Sequence, residues 1–485
     1  MNREPVKPAY ESYLSDESHI KGNALYITFP ETAEELSEVL VKAGKDNMKV
    51  TFQGGKTGLT GGAVPGDGLI VNLSKMNKTG ETWETEEGTF IKAEAGTTLE
   101  AIEKEINRKG YFLPVDPTEK TATLGGIYAT GAAGPGRLKY GDMKDYVKGL
   151  KLVTPEGEIL NIERGDIKVF TENGVKKISF NGKTIEIRED YFPYPVEGDD
   201  FLDLLSGTEG YAGCITEFNL SLLKKPSDIW GVVFFFEKEP DSLRFSEMIW
   251  NENLTCLEFY DRGALDILDS HRDSPLLKEL PPFPLNTEAA LYTEVSGDDG
   301  DADTETLMKL LEVFVDCGGK EENTWAENGE EAVGKFRDMR HAVPSLLSED
   351  ERIVHGLNRF ETDCEIHLSP TELVKFYRDE FEGKNLKTLL YGHILEGRLH
   401  SAILPETGEE TDKALKLTEE IFRKSEEAGG YGISENGIGQ TKRKYVLDSL
   451  NEEESGYLES IRQTFDSGKI MNPRLEDKSE DSCLH

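Results

Sequence analysis

LYITFPETAEELSEVLVKAGKDNMKVTFQGGKTGLTGG, residues 25–62, carries the pattern on which the fold turns. The apolar run LYITF reads as a strand that Pro30 stops. Thr32-x-x-Glu35 is a capping box, and Leu36, Val39, Leu40 and Ala43 then recur at helical spacing. A second strand, KVTFQ, runs straight into GGKTGLTGG. Strand, helix and strand in this order indicate an α/β region that extends over residues 25–160. The loop QGGKTGLTGG (53–62) sets five glycines and two threonines directly after a strand. Glycine tolerates φ > 0, so such a loop can bend sharply and turn successive backbone N–H groups toward an anion. It matches neither G-x-x-x-x-G-K-[ST] nor a well-formed G-x-G-x-x-G. Taken alone, a glycine-rich turn is more often structural than ligand-binding.

The chain has 485 residues, 37% hydrophobic and 9% aromatic, with 20 prolines and no low-complexity tract, which describes a folded protein of several domain-sized units. Its 93 acidic residues outnumber 55 basic ones for a formal charge of −38, which argues against nucleic-acid binding. The plain meaning of that charge is solubility; the sharper one is steering toward a basic protein partner. WGVVFFF (230–236) is the longest strongly apolar run and is too short to cross a bilayer. The N-terminus MNREPVKPAYESYL lacks a signal peptide's apolar stretch, so a cytoplasmic location is expected. Five cysteines (Cys214, Cys256, Cys317, Cys364, Cys483) form no CxxC, which excludes the familiar iron–sulfur and zinc-ribbon spacings and fits a reducing compartment.

ENGVKKISFNGKTIEI (172–187) sets two Asn-Gly pairs between period-two stretches, the signature of a β-hairpin. After KKPSDIW (224–230), apolar strands such as GVVFFF and AALYTEVSG (289–297) alternate with helical segments such as TETLMKLLEVFVD (304–316), which suggests a second domain with a sheet covered by helices. No internal repeat is present. Within YGHILEGRLHSAILP (391–405), His393 and His400 stand seven apart in a chain of eight histidines. Residues seven apart on one regular strand face opposite ways, but Gly392 and Gly397 favour strand, turn and strand, and a turn could let both imidazoles converge. From spacing alone a structural or solvated pair is the more common outcome.

Three later segments join the glycine loop: PVDPTEKTATLGGIYATGAAGPGRLKYGDMKDYV (114–147), LLSGTEGYAGCITEFNLSL (204–222) and SGKIMNPRL (467–475). The ordered set resembles the vanillyl-alcohol-oxidase-type FAD flavoproteins over roughly residues 20–475. Within them it is most similar to the branch of D-lactate dehydrogenases, D-2-hydroxyglutarate dehydrogenases and the glycolate oxidase large subunit. The resemblance implies an α+β fold: a two-subdomain α/β FAD-binding domain over 1–225, completed by 450–475, and an α+β substrate or cap domain over 226–449 whose antiparallel sheet is covered by helices. A charged tail, 476–485, is expected to be disordered.

By the resemblance, Gly54, Gly55, Lys56, Thr57, Gly58, Leu59 and Thr60 match the loop that cradles the FAD pyrophosphate. Pro114, Asp116, Thr123, Gly125, Gly126, Gly131 and Gly141 match a second flavin-contacting stretch. Gly207, Glu209, Gly210 and Ile215 match the segment beside the adenosine half, and Asn472 matches an Asn-Pro that returns to the flavin. The chain reads GAAG (131–134) where the family usually has Asn-Ala-Gly-Gly, so a contact there is lost or made differently. Covalent members often carry a histidine in or near the first loop; here His19 is the only histidine before His271, and non-covalent FAD is expected.

The same resemblance implies metal ligands. The family's G-H-x-G-D-G-N-x-H and E-H-G-I-G correspond to GHILEGRLH (392–400) and ENGIGQTKRKY (435–445), which retain His393, His400 and Glu435. Two histidines and a carboxylate suit Zn, Mn or Fe with open positions for substrate. Arg340, in KFRDMRHAVPSLL (335–347), matches an arginine that clamps the substrate carboxylate. Two positions depart from the pattern. The family's proton-accepting histidine is Asn436, which cannot act as a base near neutral pH. Arg398 replaces an asparagine, bringing a fixed positive charge that could repel a cation or bind a second acidic group of the substrate; His341 and His367 are the nearest spare bases by segment.

The expected activity is oxidation of a small D-2-hydroxy acid of the D-lactate, glycolate or D-2-hydroxyglutarate type to the 2-oxo acid, with hydride passing to flavin N5. Electrons would then leave to a quinone, an electron-transfer flavoprotein or an iron–sulfur subunit, because the chain has no cluster of its own. Two alternatives stay open: a flavin-binding accessory subunit with weak or no turnover, and a metal-free FAD oxidase of another alcohol. A homodimer is the assembly kept open.

Overall fold

The computed structural model describes residues 3–173, 175–180, 182–187, 200–210, 212–298, 300–348, 359–432 and 435–472. The tail at 476–485 lies outside the described residues. Two compact units divide the chain: Met1–Ala133 with Asp142–Lys225 and Glu435–His485, and Gly134–Gly141 with Pro226–Ser434.

In the first unit the opening motif folds as the sequence pattern requires. The strand Tyr26–Thr28 leads to the helix Ala33–Lys45, whose N-cap Thr32 accepts from the Glu35 N–H, and Leu36, Val39, Leu40 and Ala43 are its buried stripe. Val50–Gln53 then pairs parallel with Leu69–Asn72, which pairs parallel with Tyr26–Thr28. A second, antiparallel sheet runs Thr79–Thr85, Gly88–Glu94, Cys214–Lys224, Val147–Val153 and Ile159–Glu163. The stretch around the Asn-Gly pairs forms a third sheet of Phe170–Glu172, Val175–Phe180 and Lys183–Ile187.

Among its described residues, the second unit is built on one antiparallel sheet of seven strands. Their order is Thr324–Asn328, Asp228–Phe236, Ala289–Gly297, Cys256–Asp261, Lys387–His393, Arg398–Leu404 and Phe360–Thr362. Strands such as Cys256–Asp261 and Arg398–Leu404 are buried at every position, and helices such as Arg262–Ser270 and Glu330–Ser348 pack their apolar stripes into the same core. Among the described residues no helix is long and apolar enough to cross a membrane.

Two boundaries differ from the expected ones, both for reasons of hydrogen bonding that composition does not reveal. The C-terminal return starts at Glu435, not at 450. There, Thr60 Oγ1 donates to the Asn436 carbonyl (2.8 Å), and the Gly439 N–H donates to the Glu209 carboxylate. Residues 134–141, expected in the FAD-binding domain, cluster with the second unit, where Arg137 pairs with Glu396 at 2.6 Å and Lys139 donates to the Ser296 carbonyl.

Candidate functional site

His393 ends one strand of the second unit and His400 lies within the next; the residues Ile394–Glu396 and the left-handed Gly397 (φ 71°) turn the chain between them. The strand register sets Tyr391 opposite His400 and His393 opposite Arg398. Alternation then puts Tyr391, His393, Arg398 and His400 on one face of the sheet, so the turn cancels the opposite facing that seven residues of straight strand would impose. Both histidines are buried, with ring centroids 6.2 Å apart. Gly392 allows this approach: its φ of 120° is a glycine conformation, and a Cβ there would lie 3.0 Å from His400 Cδ2.

Each histidine meets a carboxylate, buried at Glu258 and partly buried at Glu361. Glu258, directly across the ladder from His393, lies 2.5 Å from its Nδ1 and also accepts from Arg340 Nε. Glu361 lies 3.1 Å from His400 Nδ1 and accepts from Tyr391 Oη at 3.0 Å, with Arg359 at 2.9 Å. Burial pushes the Glu258 carboxyl up, but the charges of His393 and Arg340 outweigh it and hold the group down at about 2. Burial likewise raises Glu361, and Arg359, His400 and Tyr391 bring it to about 2. Both groups are therefore carboxylates at neutral pH. Tyr391 stacks on His400 (4.9 Å, 20°), and the Arg340 guanidinium lies 5.4 Å from the Tyr391 ring centre.

Glu258 and Glu361 are the members of this group that the sequence reading missed. A signal existed for Glu258: it is a single acidic residue inside the apolar run CLEFY, and a buried acid requires a partner. Arg398, expected to bring a fixed positive charge, is paired: Glu365 accepts from its Nε at 2.8 Å. His367 is mostly exposed, 3.7 Å from Glu365, and His341 lies on the helix Glu330–Ser348. Glu435 and Asn436 belong to the first unit, where both take part in backbone bonds: Lys442 Nζ donates to the Glu435 carbonyl, and Asn436 is left-handed (φ 62°).

Also in the first unit, the loop 53–62 presses on the second stretch. A Cβ at Gly54 would lie 2.1 Å from Thr123 Oγ1 and one at Gly55 2.6 Å from the Thr121 carbonyl, whereas one at Gly58 would meet no protein atom within 4 Å. Thr123 caps the short helix Leu124–Thr130, where Gly125 and Gly126 begin the first turn and the left-handed Gly131 ends it. The bare backbone lets the loop pack directly on 121–123, and the space at Gly58 is where no side chain stands in the way of a ligand. Three of the other expected contacts are engaged with protein. Asp116 pairs with Lys120, the Glu209 carboxylate accepts from the Gly439 N–H at 3.1 Å, and Asn472 Oδ1 accepts from the Phe52 N–H at 3.1 Å. Pro114, Gly207, Gly210 and Ile215 fall in the first unit, and Gly141 closes the segment that clusters with the second.

Residues 24–163 match the FAD binding domain family, and residues 226–475 match the C-terminal domain of the FAD linked oxidases. The D-lactate dehydrogenase of Anaerostipes hadrus is 26% identical over 485 residues, 96% of this chain and 92% of that protein. The mitochondrial D-2-hydroxyglutarate dehydrogenase of Danio rerio is 25% identical over 467 residues, 94% of this chain and 78% of that protein. Among solved structures, 4-ethylphenol oxidase from Gulosibacter chungangensis superimposes with a TM-score of 0.67 at 16% identity, covering 96% of this chain and 92% of that one. With the C-terminal match spanning over half of its length, the chain belongs to the FAD-linked oxidases, a family of flavin-dependent oxidoreductases.

Proposed function

We propose that the protein is an FAD-dependent dehydrogenase of a small D-2-hydroxy acid, assisted by a divalent cation on His393, His400 and Glu435. The observation that carries the reading is the pair of buried histidines on one sheet face, each with Nδ1 against a carboxylate. Relatives named for D-lactate and D-2-hydroxyglutarate support the substrate class. When bound, FAD supplies the acceptor for the hydride, and a divalent cation supplies polarisation of the substrate hydroxyl.

Arg340 would hold the substrate carboxylate through its terminal nitrogens, since its Nε is committed to Glu258. That contact fixes the acid end of the substrate and leaves the hydroxyl-bearing carbon to be oriented by the histidine face. Glu365 neutralises Arg398, so the positive charge beside His400 is less of an obstacle to a cation than the isolated residue would be. Asn436 is neutral, so the hydroxyl proton must go to another group. That neutrality also favours the second reading, an accessory flavin-binding subunit with little turnover.

Anaerobic titration with D- and L-2-hydroxy acids, before and after chelation, tests the proposal. A D-acid should bleach the flavin, and chelation should stop it; undiminished reduction after chelation sinks the metal-assisted mechanism. No histidine lies in the loop 53–62, so acid or heat should release free FAD, and flavin that stays with the precipitated chain would show covalent attachment.

A further inference from the structure

We infer that Glu258 and Glu361 are positioning residues that set the tautomer and orientation of the two histidines toward a cation; the inference rests on the metal reading above. A carboxylate can only accept a hydrogen bond, so the imidazole nitrogen facing it must carry the proton. Glu258 is hydrogen-bonded to His393 Nδ1, which assigns Nε2 of that ring as the ligating atom, and Glu361 at ion-pair distance from His400 Nδ1 favours the same choice there. Metal-binding histidines are commonly oriented by such partners, and the carboxylate raises the basicity of the ligating nitrogen.

The sheet supplies both carboxylates from strands that flank the histidine hairpin. Glu258 is the ladder partner of His393, and Glu361 is the ladder partner of Ala402, two residues along the same face from His400. Each also pairs with an arginine, Arg340 or Arg359, so part of the carboxylate charge stays compensated when the imidazole is neutral. Tyr391 ties the two halves together: it donates to Glu361, stacks on His400 and lies beneath Arg340. The candidate substrate clamp and both candidate ligands are therefore joined by one set of hydrogen bonds, ion pairs and ring contacts.

The test is titration of chelated, FAD-loaded protein with Zn²⁺ alone, comparing wild type with Glu258→Gln, Glu361→Gln and Asp261→Asn. Asp261 is a buried carboxylate on the same strand as Glu258 that pairs with Arg378 at 3.0 Å, so it controls for loss of a buried charge pair. Wild type should bind one equivalent. Either glutamate variant should weaken binding about 10- to 100-fold with FAD content unchanged, while the Asp261 variant binds as wild type. If Glu258→Gln fails to fold, Glu361→Gln carries the same test on the other histidine. Wild-type affinity in the glutamate variants, or an equal loss in the Asp261 variant, overturns the positioning role alone. No Zn²⁺ binding by the wild type overturns both this inference and the metal reading beneath it.

Discussion

Replacing His393 or His400 by alanine should abolish reduction of the flavin by a D-2-hydroxy acid while leaving FAD bound. On the proposed reading, loss of one ligand would remove a cation whose polarisation of the substrate is worth several kcal/mol, a fall of about a thousandfold or more in rate. The glycine loop belongs to the other unit, so FAD content and the flavin spectrum should not change. Some stability should also go. His393→Ala leaves one Glu258 oxygen without its imidazole, at a cost of about 1–3 kcal/mol in thermal or denaturant unfolding. His271→Ala gives the comparison, because His271 is an exposed residue at the end of the helix Arg262–Ser270 and should change neither quantity. Stopped-flow flavin reduction together with metal analysis decides the matter. A variant that loses its metal yet reduces flavin at the wild-type rate would make the histidines a structural pair.

The first unit was legible in the sequence because its signals are local. Thr32 and Glu35 mark the helix start, the spacing of Leu36 to Ala43 marks its buried face, and the glycines of 53–62 follow a strand. The hairpin that carries His393 and His400 was legible for the same reason, since Gly392 and Gly397 argue against a helix and for a turn. Glu258 and Glu361 lie 135 and 39 residues from the histidines they touch, and only sheet register brings them there. Periodicity cannot supply register between distant strands. The assignment of 134–141 to the second unit was hidden likewise, because it depends on Arg137 finding Glu396 far along the chain.

Arg340 is expected to produce the other large effect, and it tests whether its partnership with Glu258 is structural, functional or both. Arg340→Lys keeps the charge but loses the planar fork, so kcat/KM for a hydroxy acid should drop about a hundredfold, mainly through KM. Arg340→Met removes the charge and leaves a buried carboxylate facing only His393, which should destabilise the protein by about 3–5 kcal/mol. Adding Glu258→Gln to Arg340→Met withdraws both charges from the core and should restore much of the lost stability. Substrate binding should not return in the double variant, because no guanidinium remains to meet the carboxylate. Measuring unfolding free energy and KM on the four combinations separates the two roles. Recovery of stability with KM still raised identifies a clamp held in place by a buried acid. Recovery of both would make Arg340 a packing residue and shift the search for the carboxylate-binding group to Arg398, whose Nε and terminal nitrogen are both held by Glu365.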